Sequence, residues 1–172
     1  MKHNSDRILL GLIAVLAVAL VWVVSGTLEQ HVTTVGDTAP DFRVLTEHGK
    51  TMTRSDFGGK VLVLNFWASW CPPCVEEAPS LNAFAQEAAK KGIIVLGVSI
   101  DRNETAYKKF LAQHKIAFET SIDPEADVSS SYGTFQIPET YIIDKNGKVV
   151  EKIISNQNFM DPEFMDRLTK ML

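Results

Sequence analysis

The longest apolar run in the chain lies near its amino terminus. No charged residue occurs between Ile8 and Val24, and the run has a net positive charge before it and acidic residues after it. A helix of this length spans about 26 Å, close to the thickness of a bilayer core, and the charge asymmetry places the amino terminus in the cytoplasm. The pattern predicts a cytoplasmic tail over residues 1–7, a transmembrane signal-anchor helix over 8–28 and a linker over 29–35.

A cleaved signal peptide is the alternative interpretation of the same run. Val24, Ser25 and Gly26 would form a small-residue cleavage site before Thr27. The run is longer than the roughly 7 to 15 apolar residues of a signal peptide, which favours an uncleaved anchor. In either case we expect the functional domain on the extracytoplasmic (periplasmic) side of the cytoplasmic membrane, held by a single pass if the anchor is retained.

Residues 36–172 alternate between short apolar runs and amphipathic segments, a pattern typical of an α/β or α+β domain, and we expect the α/β class. Continuous apolar runs predict strands covered on both faces, and apolar positions at helical spacing predict the helices between them. Turn-like sequences at 47–50 and 144–147 predict two hairpins, the first of which extends the domain at its amino terminus. The predicted strands are 41–46, 51–53, 61–67, 93–100, 118–122, 140–143 and 148–154, and the predicted helices are 74–91, 103–115 and a last one capped by Asp161.

The net charge and the number of cysteines exclude some classes of function for this chain. The chain has 172 residues, with 17 Lys and Arg against 21 Asp and Glu, so its net charge is −4. A mildly acidic chain without a basic block lacks the electrostatic footprint of a nucleic-acid-binding protein. Its two cysteines are too few for a scaffold of several disulfides. The chemistry therefore depends on where these two cysteines lie.

Both cysteines lie in one motif, Trp70-Cys71-Pro72-Pro73-Cys74, where a predicted buried strand turns into a helix. A bridge across two residues restrains little chain, so a chemical role is favoured over a structural one. Unpaired amides and the dipole at a helix start favour the thiolate, and lowering a thiol pKa from about 8.5 to about 7 increases the ionised fraction roughly 15-fold at pH 7.

The two cysteines are expected to have different roles. We expect Cys71 to be exposed at the helix start and to attack a client disulfide, and Cys74, one turn further in, to resolve the mixed disulfide. Pro72 and Pro73 stiffen the turn and add no cation, which indicates a reductant. Zinc would need four ligands, and the four histidines lack metal-ligand spacing, so no metal and no cofactor beyond the Cys71–Cys74 disulfide is expected.

The motif and its surroundings resemble those of membrane-anchored thioredoxin-fold proteins of the TlpA/ResA/CcmG (DsbE) type. The similarity covers residues 36–172. It rests on five segments: 36–42 (GDTAPDF), 59–61 (GKV), 65–74 (NFWASWCPPC), Pro79, and 137–144 (IPETYIID). The resemblance implies a thioredoxin fold, with a mixed central sheet flanked by helices, and thiol–disulfide oxidoreductase activity as a protein-disulfide reductase.

The resemblance also assigns roles to residues outside the motif. It implies that Pro138 follows a cis peptide bond and lies against the dithiol, and that the backbone of Ile137 binds an extended client segment, with Trp70 and the prolines supporting the site. Glu77 matches an acidic residue that serves as proton acceptor, the alternative being a surface glutamate. Thioredoxins have an aspartate where this chain has Asn65, which cannot titrate and leaves Glu77 as the acceptor for Cys74.

One departure and one triplet bear on the branch of the family. Gln136 stands where the family usually has glycine, so the client loop could be shaped differently. Glu139 is interpreted either as a partner contact or as a merely exposed residue. The Pro138-Glu139-Thr140 triplet favours the cytochrome c maturation branch, which implies apocytochrome c as client and a transmembrane thiol reductase of the DsbD/CcdA type as electron donor.

Two other function classes stay open on the sequence. Ala39-Pro40-Asp41-Phe42 is shared with peroxiredoxins, which would make the chain a thiol peroxidase, although the residues before Cys71 differ from that class. A Sco-like copper chaperone is also an anchored thioredoxin fold. It would need a histidine well after the cysteine pair, and this chain has none after His114.

Overall fold

The computed structural model describes residues 2–27 and 32–171. The chain divides into two compact units, Met1–His31 and Val32–Leu172. The first contains helix α1, Lys2–Thr27, where the sequence predicts a helix. A search of the described residues finds no helix with the length and apolar character needed to cross a membrane. The anchor therefore stays a prediction, and residues 28–31, which belong to the predicted anchor and linker, lie outside the described residues.

A five-stranded mixed sheet forms the centre of the second unit. Its strands are β3 (Leu62–Trp67), β4 (Ile94–Ser99), β5 (Glu119–Ile122), β6 (Glu139–Ile143) and β7 (Val149–Ile154), in the spatial order β5-β4-β3-β6-β7. Parallel pairing joins β3 to β4 and β4 to β5, and antiparallel pairing joins β3 to β6 and β6 to β7. Every residue of β3 is buried, as expected for a strand covered on both faces.

Two strands before the sheet form the predicted hairpin, β1 (Arg43–Leu45) and β2 (Thr51–Thr53). The hairpin packs along the outer strand β5, where the Glu47 amide donates to the Thr120 carbonyl at 3.0 Å. The opposite outer strand, β7, is paired with residues 36–38, because Gly36 donates to the Val149 carbonyl at 2.8 Å. Both outer strands of the sheet are thus paired with other parts of the chain.

Four helices complete the second unit: α2 (Pro72–Lys90), α3 (Glu104–His114), α4 (Asp127–Ser131) and α5 (Pro162–Thr169). Asn103 and Asp161 cap α3 and α5 as predicted. The sequence did not predict α4 or a short 3-10 turn at Arg54–Phe57. Helix α4 is rich in serine, a poor helix former, and it forms because the Asp123 carboxylate accepts its first three amides.

Side chains that alternate along β3 enter different cores on the two sides of the sheet. Leu62, Leu64 and Phe66 belong to a core that includes Tyr132 and Tyr141. Val63 belongs to a second core. A third cluster surrounds the cysteines at the carboxyl end of β3, and its buried members are Trp67, Ala68, Cys71, Cys74, Ala78, Tyr107 and Phe110.

Candidate active site

The two cysteines form a disulfide at the start of α2, with their Cα atoms 5.3 Å apart. Cys71 is the cap residue of α2, and the Cys74 amide donates to the Cys71 sulfur at 3.3 Å. This amide is one of those that a helix start leaves without a partner in the helix. A donor in this position stabilises negative charge on the Cys71 sulfur.

The exposure expected for Cys71 is wrong for the disulfide form. Cys71 is 4% exposed and Cys74 is 2% exposed, so both are buried. Cys71 is covered because the loop before β6 lies over it, with the Ile137 carbonyl oxygen 3.7 Å from the Cys71 sulfur. The covering residue is distant in sequence, so the spacing of the motif could not indicate it.

The peptide bond between Ile137 and Pro138 is cis, as predicted. Pro138 is buried, and Ile137 is half-buried against both the cysteine cluster and the core that contains Phe66. The loop that carries Ile137 therefore lies against the dithiol, in the position that the sequence predicts.

Two aromatic side chains next to these elements are exposed to solvent. Trp70, which precedes Cys71, is 64% exposed, and Phe135, in the loop before the cis bond, is 76% exposed. A groove of about 520 Å³ runs beside Trp70 and is lined also by Ser69 and Arg102. The surroundings of the dithiol thus offer apolar surface and open space together, which suits contact with another polypeptide.

Asp101 fixes the loop that leads into the dithiol. It is 1% exposed and accepts the Ser69 amide at 2.8 Å and the Ser69 hydroxyl at 2.8 Å. The Ser99 hydroxyl, at the end of β4, donates to the same carboxylate at 2.7 Å. Sequence reasoning missed Asp101. The sequence does offer a signal for it. Asp101 is an acidic residue that follows the buried strand β4, and the parallel strand β3 ends at the same edge of the sheet.

Glu77 is buried, at 3% exposure, so the alternative of a surface glutamate is wrong. One carboxylate oxygen accepts the Asn65 side-chain amide at 2.9 Å, and the other accepts the Gln157 backbone amide at 3.3 Å. Burial raises the pKa of Glu77 to about 7, against the two hydrogen bonds, which lower it. A carboxyl with this pKa can change protonation state at neutral pH.

Glu77 and Cys74 lie beside the same small cavity. They line a cavity of about 10 Å³, together with Asn65 and Trp67. This volume is at the lower limit for a single water molecule. The Trp67 indole nitrogen is buried without a hydrogen-bond partner in the part of the chain that the structure describes. Cys74, Glu77 and Trp67 therefore border one small cavity.

Glu139 is neither exposed nor available to a partner, so both interpretations from the sequence are wrong. Its side chain is fully buried, with Lys152 Nζ 3.0 Å from Oε1 and the Tyr141 hydroxyl donating to Oε2 at 3.1 Å. The contact with Lys152 is an ion pair without good hydrogen-bond geometry at Oε1. Glu139 directly follows Pro138 in the chain, and its ion pair with Lys152 is buried.

Comparisons with known proteins agree with this geometry. The model of the AhpC/TSA family matches residues 35–152. The chain is 37% identical to the thiol-disulfide oxidoreductase ResA of Bacillus cereus, over 72% of this chain and 71% of the relative. It is 34% identical to ResA of Oceanobacillus iheyensis, over 87% of this chain and 81% of the relative.

A solved structure also resembles this chain in its fold. A thiol:disulfide interchange protein DsbE of Chlorobium tepidum superposes with a TM-score of 0.74 at 32% identity, covering 81% of this chain and 98% of the other. Fold, dithiol and relatives therefore agree: the chain belongs to the AhpC/TSA family of thioredoxin-fold proteins, among the thiol-disulfide oxidoreductases of the ResA and DsbE type.

Proposed function

We propose that this thiol-disulfide oxidoreductase acts as a reductant of protein disulfides, with Cys71 as attacking thiol, Cys74 as resolving thiol and Glu77 as proton acceptor. The observation that carries the proposal is the shared cavity of Cys74 and Glu77, beside a disulfide whose other sulfur caps α2. The Cys71 sulfur has a helix amide to stabilise its thiolate, and Cys74 shares a cavity with a carboxyl whose pKa is raised to about 7.

The first step joins the reduced protein to its client. The Cys71 thiolate attacks one sulfur of the client disulfide, which forms a bond between Cys71 and that sulfur and breaks the client's own bond. The second client sulfur leaves as a thiolate and takes a proton from solvent. The Cys74 amide supports this step because it donates to the attacking sulfur.

The second step releases the client. Ionised Glu77 accepts the proton of the Cys74 thiol, and the Cys74 thiolate attacks the Cys71 sulfur. The Cys71–Cys74 disulfide forms, and the remaining client sulfur leaves as a thiolate that is protonated in turn. Two electrons have then passed from the two cysteines to the client, and a further dithiol must reduce the protein before the next cycle.

We also propose the client and the electron donor. An extended client segment would lie along the backbone of Ile137, next to exposed Trp70 and Phe135. The Pro138-Glu139-Thr140 triplet supports apocytochrome c, with its Cys-x-x-Cys-His segment, as the client. A transmembrane thiol reductase of the DsbD/CcdA type would supply the electrons, since cytosolic thiols do not cross the bilayer.

The membrane location remains part of the proposal. It is supported by the apolar run between Ile8 and Val24. Because both cysteines of the chain lie in the dithiol, a membrane-impermeant thiol reagent tests the location directly. We expect labelling of the reduced protein in intact spheroplasts and retention of the chain in the membrane pellet after alkaline extraction. Labelling only after lysis would place the domain in the cytoplasm.

Trapping of mixed disulfides tests the catalytic roles. A Cys74→Ala variant should accumulate a covalent complex with an oxidised Cys-x-x-Cys-His peptide, whereas Cys71→Ala should form none and should reduce no client. Complex formation by Cys71→Ala instead would reverse the two roles. Reduction of insulin at the same rate as the haem-binding peptide would contradict the cytochrome c client while leaving the reductase intact.

A further inference from the structure

The side-chain amide of Asn65 uses both of its hydrogens inside the protein. Asn65 Nδ2 donates to Glu77 Oε1 at 2.9 Å and to Thr140 Oγ1 at 2.9 Å, and the residue is 1% exposed. When Glu77 is ionised its oxygens only accept hydrogen bonds, so the nitrogen of the Asn65 side chain is the atom that faces it. Asn65 therefore bridges Glu77 to the neighbouring strand.

The position of Asn65 explains why it can form this bridge. It lies in the middle of β3, opposite Gly97 of β4 and Thr140 of β6. Thr140 comes two residues after Pro138, in the strand that follows the cis bond. The bridge thus connects the carboxyl group beside Cys74 with the strand that carries the client-binding loop.

We propose that Asn65 is a positioning residue, which orients the Glu77 carboxylate toward Cys74 and keeps it available as proton acceptor through the Thr140–Asn65–Glu77 hydrogen bonds. The inference rests on the proposed role of Glu77 and adds a residue to that site. Asn65 cannot itself exchange a proton, so its effect on the reaction passes entirely through Glu77.

Few polar groups surround the Glu77 carboxylate, so the hydrogen bond from Asn65 has a large effect on it. Helix α2 contributes the Cys74 thiol and the exposed Glu76, whose carboxylate accepts from Asn156 at 3.0 Å. Strand β3 and the segment after β7 contribute only the neutral amides of Asn65 and Gln157. The other side chains that line the cavity are apolar, among them Leu81, Phe110, Ile116 and Phe118. No cation faces the carboxylate among the described residues, so amide donors alone stabilise its charge.

Loss of the Asn65 donor should make Glu77 harder to ionise. A hydrogen bond to a charged group is worth enough to move a pKa by about one unit. The pH midpoint of client reduction should therefore rise by about one unit in Asn65→Ala, and the rate at pH 7 should fall about fivefold, because the ionised fraction of Glu77 decreases from about half to about a tenth.

The test is the pH profile of client reduction by the purified full-length chain, in single-turnover reactions. Four proteins are compared with the wild type: Asn65→Ala, Glu77→Gln, the double variant, and Asn82→Ala. The last is a matched control, because Asn82 also forms two amide hydrogen bonds, to Lys115 and Ala117, away from Glu77. The expected result is a raised midpoint in Asn65→Ala alone, and no effect of Asn65→Ala when Glu77 is already glutamine.

The possible outcomes separate the two proposals. If Glu77→Gln removes the pH step while Asn65→Ala leaves the midpoint in place, Glu77 keeps its role and the positioning role of Asn65 is wrong. If Glu77→Gln leaves the profile unchanged, the proposed role of Glu77 itself is wrong. A shift of equal size in Asn82→Ala would make the effect one of general destabilisation and would also overturn the proposal.

A second variant and readout apply if Asn65→Ala does not fold. Asn65→Asp keeps the side-chain shape and replaces the donor by a second carboxyl beside Glu77, so the pair should retain a shared proton at neutral pH. Infrared difference spectra, taken with and without Glu77→Gln, should then show a protonated carboxyl above pH 8. Its absence at that pH would contradict direct contact between the two side chains.

Discussion

Glu77 and Cys74 line the same small cavity, one turn apart on α2. Their neighbourhood is apolar enough to raise the pKa of Glu77 to about 7, although both carboxylate oxygens accept amide hydrogens. A buried acid with a near-neutral pKa lowers the stability of the fold when it ionises. Its presence beside a reactive thiol is therefore better explained by chemistry than by stability.

The titration of Glu77 predicts how stability depends on pH. Because the pKa of Glu77 is about 7 in the folded protein and near 4.5 in the unfolded chain, the folded state binds more protons between these values. The contribution of Glu77 to the free energy of unfolding is therefore greatest below pH 4.5. It is lost as the pH rises from 4.5 through about 7. The shift corresponds to a loss of about 3 kcal/mol.

A Glu77→Gln variant should remove this dependence. Glutamine cannot ionise, so the stability of the variant relative to wild type should increase by about 2 to 3 kcal/mol between pH 4.5 and pH 8. Urea unfolding of the oxidised proteins measures the difference. The matched control is Glu76→Gln, which changes an exposed carboxyl on the same turn. A similar pH dependence in both variants would show that Glu77 does not titrate as described.

The contacts of Asp101 predict a role in holding the dithiol loop. Asp101→Asn keeps the size of the side chain but loses the charge that the Ser69 amide and hydroxyl donate to. We expect a loss of about 1 to 3 kcal/mol in stability and slower client reduction by the folded protein, since the loop before Cys71 becomes less fixed.

A second buried aspartate provides the control for this variant. Asp123→Asn also removes a carboxylate that accepts backbone amides, at the start of α4. It should lower the free energy of unfolding by a comparable amount without changing the reduction rate at a temperature where both variants are folded. Equal losses of rate in the two variants would mean that Asp101 contributes only to stability.

The ion pair of Glu139 and Lys152 predicts a strongly asymmetric mutational pattern. Lys152→Met leaves the fully buried carboxylate of Glu139 without its cation, which should cost about 3 to 5 kcal/mol. Adding Glu139→Gln to Lys152→Met should recover part of this loss, because the uncompensated charge disappears. Chemical unfolding of the wild type, the two single variants and the double variant gives the coupling between the two sites.

An exposed pair gives the comparison for the buried one. Arg167 and Glu151 form an ion pair at the surface, with side-chain exposures of 48% and 27%. Arg167→Met should change the free energy of unfolding by less than about 1 kcal/mol, since solvent screens such pairs. A small effect of Lys152→Met, equal to that of Arg167→Met, would contradict the burial of Glu139.

The strands and most of the helices were predictable because local patterns determine them. The continuous apolar run of β3 and the Asn-Gly turn before β7 identify their elements without knowledge of the rest of the chain. Helix α4 escaped prediction because its serines favour no helix and its stability comes from Asp123, which precedes it in sequence. Here a local contact between a side chain and the backbone overrides helix propensity.

The site was predictable in its chemistry but not in its burial. The spacing and helix position of Cys71 and Cys74 identify the dithiol, and the family resemblance supplied the cis bond before Pro138. Which groups are covered depends on contacts between distant segments, such as Ile137 over Cys71 and Lys152 against Glu139. The amide bridge through Asn65 has the same origin, because it joins three elements of the fold.

The equilibrium reduction potential of the Cys71–Cys74 pair tests the central claim, the direction of electron flow, most directly. It can be measured on the purified full-length chain against glutathione or dithiothreitol buffers, and each 30 mV corresponds to about 1.4 kcal/mol for this two-electron couple. A value near or below about −250 mV, toward the thioredoxin end of the range, is the predicted result for a reductant. A value near −120 mV, like that of a strong oxidant, would contradict it.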